Sequence, residues 1–585
     1  GGVVGDVVAK LVAEGNQVVN PQLSGISRTP NQQLDPRPNS GSPAYSNAVA
    51  ATDEWFDAVT YRGAFDAKNN WMLSWTATDE LGYFGDLFNP TVEYVRDEDL
   101  VAGGTYTFTN DKEWILDGYV FLEEGGSLTI QPGTVIKGKN QPTNASDNAS
   151  ALIITKGATI NACGTADQPI IFTAELDDVN DPTDLGAQDK GLWGGLILLG
   201  NATVGEDGGF DNIEGIPADE GRAQYGGDND ADNSGSLCYI SIRHGGAALQ
   251  ADNEINGLTL GGVGSGTQIH HIEVFANEDD GIEFFGGTVD LKYGATIFCG
   301  DDGFDYDESW GGRGQFWFYI SETDNGNCAG EHDGSERTDK QPKSFPVIYN
   351  ATYIGSGSAS GNAASIGLDM KDDAAAVYAN SVFTGFSTGV RFRNRGTSDA
   401  YSRYMTDGDT KFLNNLWWDF AAGNDPNNFV VITDNQNGGV VGDVVAKLVA
   451  EGNQVIDPTL RGISRVPNQQ LDPLPAAGSP LHQDLATATD SWFDVVDFKG
   501  AFGFDNWMFG WTALDKYGYL GDLSNTSTDF ERNASGVSLM VPYPNPVTQG
   551  VATLAFELPA SSDITVSVFD LTGRMVANTR YGKFV

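Results

Sequence analysis

Two stretches of this chain carry the same motif one short interval apart. Asp279-Asp280-Gly281-Ile282-Glu283-Phe284 is followed 22 residues later by Asp301-Asp302-Gly303-Phe304-Asp305-Tyr306. Around them, from 97 to 437, the chain consists of short β-branched or aliphatic runs broken by Gly and Asn. Examples are SLTIQPGTVIKG, ALIITKGATINACG, GLWGGLILLG and INGLTLGGVG. Each run has the length of one strand. No intervening segment has the pattern of a crossover helix, which argues against a βαβ sheet. Strands of this size at coil-length spacing predict an all-β parallel β-helix, each coil stacked on the last at about 4.8 Å. In that register Asp279 lies beside Asp301, Asp280 beside Asp302, and Glu283 beside Asp305. Like charges at strand spacing repel unless a cation or shared protons compensate.

A second repeat organises the rest. GGVVGDVVAKLVAEG opens the chain at Gly1 and recurs at Gly438, and the match runs on through GISR, PNQQLDP, GSP and WFD to Leu87 and Leu523. One copy precedes the body and the other follows it. The expected domains are a cap or tail unit at 1–96, the β-helix at 97–437, a second cap or tail at 438–524, a linker at 525–538 and a small β-domain at 539–585. The first copy is expected to close a preceding β-helix in a longer protein; the alternative is two caps bracketing one solenoid. Within the unit, GDVVAKLVAEGNQV predicts one short helix. Trp71, Trp75, Trp507 and Trp511 suit cap packing or an aromatic sugar platform.

Acidity limits the partners. With 33 Lys and Arg against 80 Asp and Glu, the net charge is -47, which excludes a nucleic-acid or anionic-membrane binder. The carboxylates suit either bare solubility or hard cations such as calcium. With 74 Gly, 23 Pro and 40% hydrophobic residues, the composition fits a turn-rich β-protein with a real core. The four cysteines, Cys163, Cys238, Cys299 and Cys328, form no CxxC pair. Cys299 and Cys328 are expected either to bond in an oxidising compartment or to remain free and buried. No apolar stretch approaches a membrane span.

SLTIQPGTVIKG, GLWGGLILLG, EINGLTLGGVG and CGDDGFDYDE with GRGQFWF resemble a family of secreted Bacteroidetes right-handed parallel β-helix surface proteins, over Asp97 to Leu523. The resemblance implies a pectate-lyase-like solenoid. From Val541 the run VPYPNPVTQGVATLAFELPASSDITVSVFDLTGRMV carries Pro544-Asn545-Pro546, alternating strands and a turn at Gly573-Arg574. That order resembles a type A C-terminal sorting domain of the type IX secretion system, a β-sandwich truncated here at Val585. It implies the type IX machinery as a partner, and release from or attachment to the outer surface.

Three acidic sets are candidate calcium ligands: Asp228, Asp230 and Asp232 at alternate positions; Asp279, Asp280, Glu283, Asp301 and Asp302 in the repeated motif; and its extension through Asp305, Asp307 and Glu308. The first set lacks the Gly and closing Glu of an EF-hand loop. Arg391, Arg393 and Arg395 alternate on one strand and share a face. With Trp310 and Trp317 they form a candidate ligand face. Asp279, Asp301 and Asp302 are the carboxylates a hydrolase would use, but no companion base completes the set. The expected function is therefore non-enzymatic: adhesion, glycan binding or surface architecture, stabilised by calcium. A polysaccharide lyase or glycoside hydrolase is the alternative.

Overall fold

The computed structural model describes residues 91–520 except 145, 251–252, 397, 477 and 504, with short stretches between 10 and 84 and strands between 538 and 584. The chain divides into two units, Gly1–Thr91 and Val92–Val585.

In the larger unit the short runs pair in parallel, each with the run one coil on. Ile282–Phe285 lies against Phe304–Asp307 with Glu283 opposite Asp305, so the 22-residue interval in the sequence is the strand register. A first sheet, 11-stranded over the described residues, stacks Leu196–Leu199, Leu258–Gly261, Ile282–Phe285, Phe304–Asp307, Cys328–His332, Ile366–Met370 and Thr388–Arg395 in that order. A second sheet, 18-stranded over the described residues, forms the remaining walls. This is the expected parallel β-helix.

Alternate side chains of each strand fill the interior, because the pleat points successive residues to opposite faces. Leu258, Ile282 and Phe304 form one buried row, and Leu260, Phe284 and Tyr306 the next. Trp310 and Trp317 belong to this filling. They are 0% and 1% exposed and stack on Phe284 at 4.1 Å and Phe304 at 4.4 Å. Their indole N–H groups donate to the carbonyls of Val289 and Leu291. Neither tryptophan can serve as the expected ligand face. The reason is volume: aromatic rings fill the coil interior here.

The second sheet folds at a corner where successive coils place a residue in the left-handed region: Tyr239, His271, Tyr293, Phe316, Asn350, Asn380 and Asn414, with φ between 49° and 60°. This conformation costs most residues roughly 1–2 kcal/mol, so something must hold it. The aromatic members stack on one another, Tyr239 on His271 and His271 on Tyr293 at 4.2 Å each. The bend at His271 brings its Nδ1 to 2.9 Å from that of His270, so these neighbours do not face opposite sides as a regular strand would place them.

The duplicated unit explains the rest of the corner. Its helix, Val441–Ala450, closes the end of the solenoid through Val444 and Leu448. The chain then turns back and runs along the second sheet as a strap. Asn380 exchanges two hydrogen bonds with the backbone of Ala486, at 2.9 and 2.7 Å, and Asn350 donates to Phe498 O. Trp507 and Trp511 pack edge-on against the His271 ring. Lys292 pairs with Asp494, and Arg313 with both Asp290 and Asp490, so these cations serve the strap and lie on the second sheet. The second copy is thus a cap for one helix only and a lateral strap thereafter. Trp507 and Trp511 are packing residues. In the first copy, Trp71 and Trp75 lie outside the described residues.

The two copies adopt the same local structure where both are described. Leu23–Gly25 pairs with Asp35–Pro38 as Leu460–Gly462 pairs with Asp472–Pro475. Ser42 and Ser479 each cap a short 3-10 turn and donate to Pro21 O and Pro458 O.

The strap is anchored at its far end by a buried carboxylate. Glu273, 0% exposed, accepts from the backbone N–H groups of Ala513 and Leu514 at 2.6 and 3.0 Å and from Ser241 Oγ. Truncation would strand two buried donors, each costing about 1–3 kcal/mol. Glu273→Ala is expected to lower the unfolding free energy by about 3 kcal/mol and to expose the strap to protease. Urea unfolding with limited proteolysis checks this; a strap that stays protected would refute the anchor.

One disulfide joins Cys163 to Cys238, Cα atoms 4.3 Å apart. The parallel register puts these residues side by side on adjacent coils. Cys299 and Cys328 are the free, buried pair. Burial pushes the Cys299 thiol up to about 12, leaving it unreactive at neutral pH.

Candidate functional site

The outward face of the first sheet changes character along the solenoid. Over the early coils it is apolar. Tyr119, Phe121, Ile153 and Ile197 are covered by Ile213, Ile216 and Tyr225 from an excursion between Val204 and Gly226. From Glu283 onward the same face becomes charged. Glu283 stands beside Asp305, the Tyr306–His332 pairing puts Glu331 next to Asp305, Glu331 stands beside Asp369, and Asp369 beside Arg391. One column thus reads Glu283, Asp305, Glu331, Asp369, Arg391. The strands position it simply: each residue is the outward member of the pleat, between two core residues.

Carboxylates converge at the start of this column. Oxygens of Asp280, Glu283 and Asp305 lie within 4.8 Å of one another, as do those of Asp279, Asp280 and Asp301. Asp302 joins a different set, with Cys328 and Glu331. Several of these groups are tied to backbone. Asp280 Oδ1 accepts from Asp302 N at 2.8 Å, and Asp302 Oδ1 accepts from Cys328 N. Glu283 Oε2 accepts from the Asn256 side chain. Asp305 is the exception: its Oδ1 is buried and has no hydrogen-bond partner. Asp307, two residues on and on the same face, accepts from Glu308 N.

Burial dominates the electrostatics. It pushes the carboxyls of Asp280, Glu283, Asp302 and Asp305 well above the usual range, and their neighbouring carboxylates push further. Asp307 is raised to about 7 and Asp333 to about 8, again chiefly by burial. A buried cluster of this kind needs either protons or a cation. Oxygen donors alone suit a hard cation such as calcium.

Farther along, the face compensates itself. Burial would raise Asp369, but hydrogen bonds from Arg391 at 2.8 Å and Arg393 at 2.7 Å bring it below the ordinary value. Lys371 bridges Glu331 at 2.6 Å and Asp333 at 2.7 Å. Arg395 pairs with Asp434 at 2.8 Å. The three arginines do share the face, and each is held by a carboxylate. His332 lies inside, stacked on Tyr306 at 4.2 Å, with burial driving it down to about 3.

The sequence comparison agrees with the parallel β-helix. Residues 101–438 match the pectate-lyase-like β-helix domain. The chain belongs to that family. No curated protein matches the chain. Among the described residues no helix is long and apolar enough to cross a membrane.

Other candidate residues of the β-helix domain fall elsewhere. Asp228, Asp230 and Asp232 do not converge. Asp230 accepts from Thr203 N at 3.0 Å and Asp232 from Asn201 N at 3.1 Å, so these two carboxylates cap a turn. Pro544, Asn545, Pro546, Gly573 and Arg574 lie outside the described residues; of their neighbours in sequence, Ser562–Phe569 and Met575–Phe584 pair antiparallel. Sequence reasoning missed Glu331, Asp333, Asp369 and Lys371. Their coils are longer than 22 residues, so no fixed interval aligns them with Asp305. The alternation in GEHD and GLDMK was the available signal.

Proposed function

We propose that this chain is a secreted or cell-surface β-helix that binds rather than cuts. A calcium ion sits among Asp280, Glu283 and Asp305, and the charged face beside it docks an extracellular partner, a polysaccharide or another surface protein. The observation that carries this reading is the convergence of three buried carboxylates, one of which has an oxygen with no partner. Adhesion fits better than catalysis because Lys371, Arg391 and Arg393 on the same face are engaged in ion pairs. A lyase needs a base free to take a proton from the sugar. The disulfide supports an oxidising compartment. The order of PNP, alternating strands and the Gly573-Arg574 turn supports export by the type IX machinery of a Bacteroidetes-type cell.

A polysaccharide lyase or hydrolase is the second reading, favoured by the family match. Both are tested on pectate, alginate and xylan with calcium, following unsaturated products, reducing ends and retention in affinity gels. The expected result is calcium-dependent retention without turnover. Turnover abolished by Asp305→Asn would make the ladder an active site and overturn the binding reading.

A further inference from the structure

A further carboxylate cluster lies apart from the sets around Asp305. Oxygens of Glu206, Asp211 and Glu308 lie within 4.8 Å of one another. Glu206 and Asp211 belong to the excursion that covers the early coils, while Glu308 follows the ladder strand Phe304–Asp307. Glu308 is 5% exposed. One of its oxygens accepts from the Tyr225 hydroxyl; the other, Oε2, is buried with no partner. Its backbone and that of Ser309 are both left-handed, at φ 50° and 69°, which turns the chain sharply at this point. Gly205 N donates to Glu308 O at 2.7 Å, so the excursion and the ladder already touch there.

The nearby cations are engaged elsewhere. Arg222 binds Glu220, Asp97 and Glu123, and Arg337 binds Asp339. Asp207 and Glu336 add further negative charge around Glu206. Three carboxylates with no neutralising side chain among the described residues, one of them with a buried unpartnered oxygen, form an opening for a cation. Asp211 is exposed and Glu206 half-buried, so an ion can enter from solvent. The donors are all carboxylate oxygens, with no His or Cys in the set, which selects a hard ion over zinc.

We propose that Glu206, Asp211 and Glu308 form a second calcium site that latches the Val204–Gly226 excursion onto the end of the ladder strand. The site shares no residue with the Asp280, Glu283 and Asp305 cluster and does not depend on it. When the ion is bound, the excursion is fixed over the apolar outer face of Tyr119, Phe121 and Ile197. When it is removed, three mutually repelling carboxylates remain and the excursion opens first.

Calcium binding by equilibrium dialysis on the full chain tests this, with limited proteolysis as a second readout. Asp211→Asn and Glu206→Gln alter an exposed and a half-buried position of the excursion and leave the core untouched. Each is expected to bind one calcium ion fewer than the parent protein and to be cut within 204–226 as fast with calcium as the parent is in chelator. Asp305→Asn is expected to keep that protection. Unchanged calcium stoichiometry in both Asp211→Asn and Glu206→Gln would overturn the proposal. A calcium count unaffected by Asp305→Asn would instead count against the ladder site and leave the latch standing.

Discussion

Stripping divalent cations at pH 8 is expected to lower the melting temperature by roughly 10 °C, and the same treatment at pH 5 to change it little. The size follows from mass action: an ion present at a thousandfold over its dissociation constant stabilises by about 4 kcal/mol, and each kcal/mol moves a large domain by about 2–4 °C. The pH dependence follows from the raised carboxyls. Asp307 and Asp333 titrate near 7 and 8 in the folded protein, with Asp280, Glu283, Asp302 and Asp305 also well above normal. In the unfolded chain they titrate near 4. Between these values the folded state holds more protons, so its stability falls as pH rises through about 7–8. Calcium replaces the lost protons in that window. Below about pH 6.5 the sign is opposed by His271 and His332, both lowered to about 3, mainly by burial. They are neutral in both states above about 6.5, and above pH 8 the buried Lys499, lowered to about 8, opposes the carboxylates in turn, so pH 7–8 isolates them. Asp305→Asn is expected to melt higher than the parent protein in chelator at pH 8, because it removes a charge from the cluster, and to respond less to calcium. Scanning fluorimetry from pH 5 to 9 measures all of this. A melting temperature in chelator that is flat across pH 7–8 would sink the account.

Replacing both Cys163 and Cys238 by Ser is expected to cost about 4 kcal/mol of stability, the chain-entropy value for a loop of this length. The two cysteines are 75 residues apart, and the segment they close carries the first-sheet strand Leu196–Leu199 and the whole excursion. Without the bond, adjacent coils are held there by strand pairing and by the core packing of Ile160, Ala162 and Leu237. Urea unfolding with and without reductant separates the cases. Reductant should shift the parent protein to the variant's midpoint and leave the variant unmoved. A parent protein insensitive to reductant after unfolding would show that the bond does not form.

The neighbouring residue of every coil was readable only where coil length stayed constant. The 22-residue repeat aligned Glu283 with Asp305 from the sequence alone, and the alignment is the observed register. Past Asp305 the coils lengthen. Glu331 follows by 26 residues and Asp369 by a further 38, although both stand in the same column. Loop insertions change the interval without changing the stacking, so the column has no fixed spacing in the sequence. The disulfide escaped for the same reason: a long excursion separates Cys163 from Cys238, yet the strands that carry them are adjacent. GRGQFWFYI is aromatic at consecutive positions, so alternation by itself does not show which side of the strand Trp317 takes. The left-handed bend at Phe316 decides which ring turns inward.

The sequence by itself determined the parallel β-helix, the register of its two most similar coils and the duplication of the flanking unit. Local pattern suffices for these, because strand length, alternation and a constant interval are properties of short segments. Only the tertiary structure decided that the second flanking unit straps the solenoid's side, that the arginines of the charged face are neutralised, and that Glu206, Asp211 and Glu308 meet. Those outcomes depend on which distant segments stack in adjacent coils, and variable loop lengths hide that from any reading along the chain.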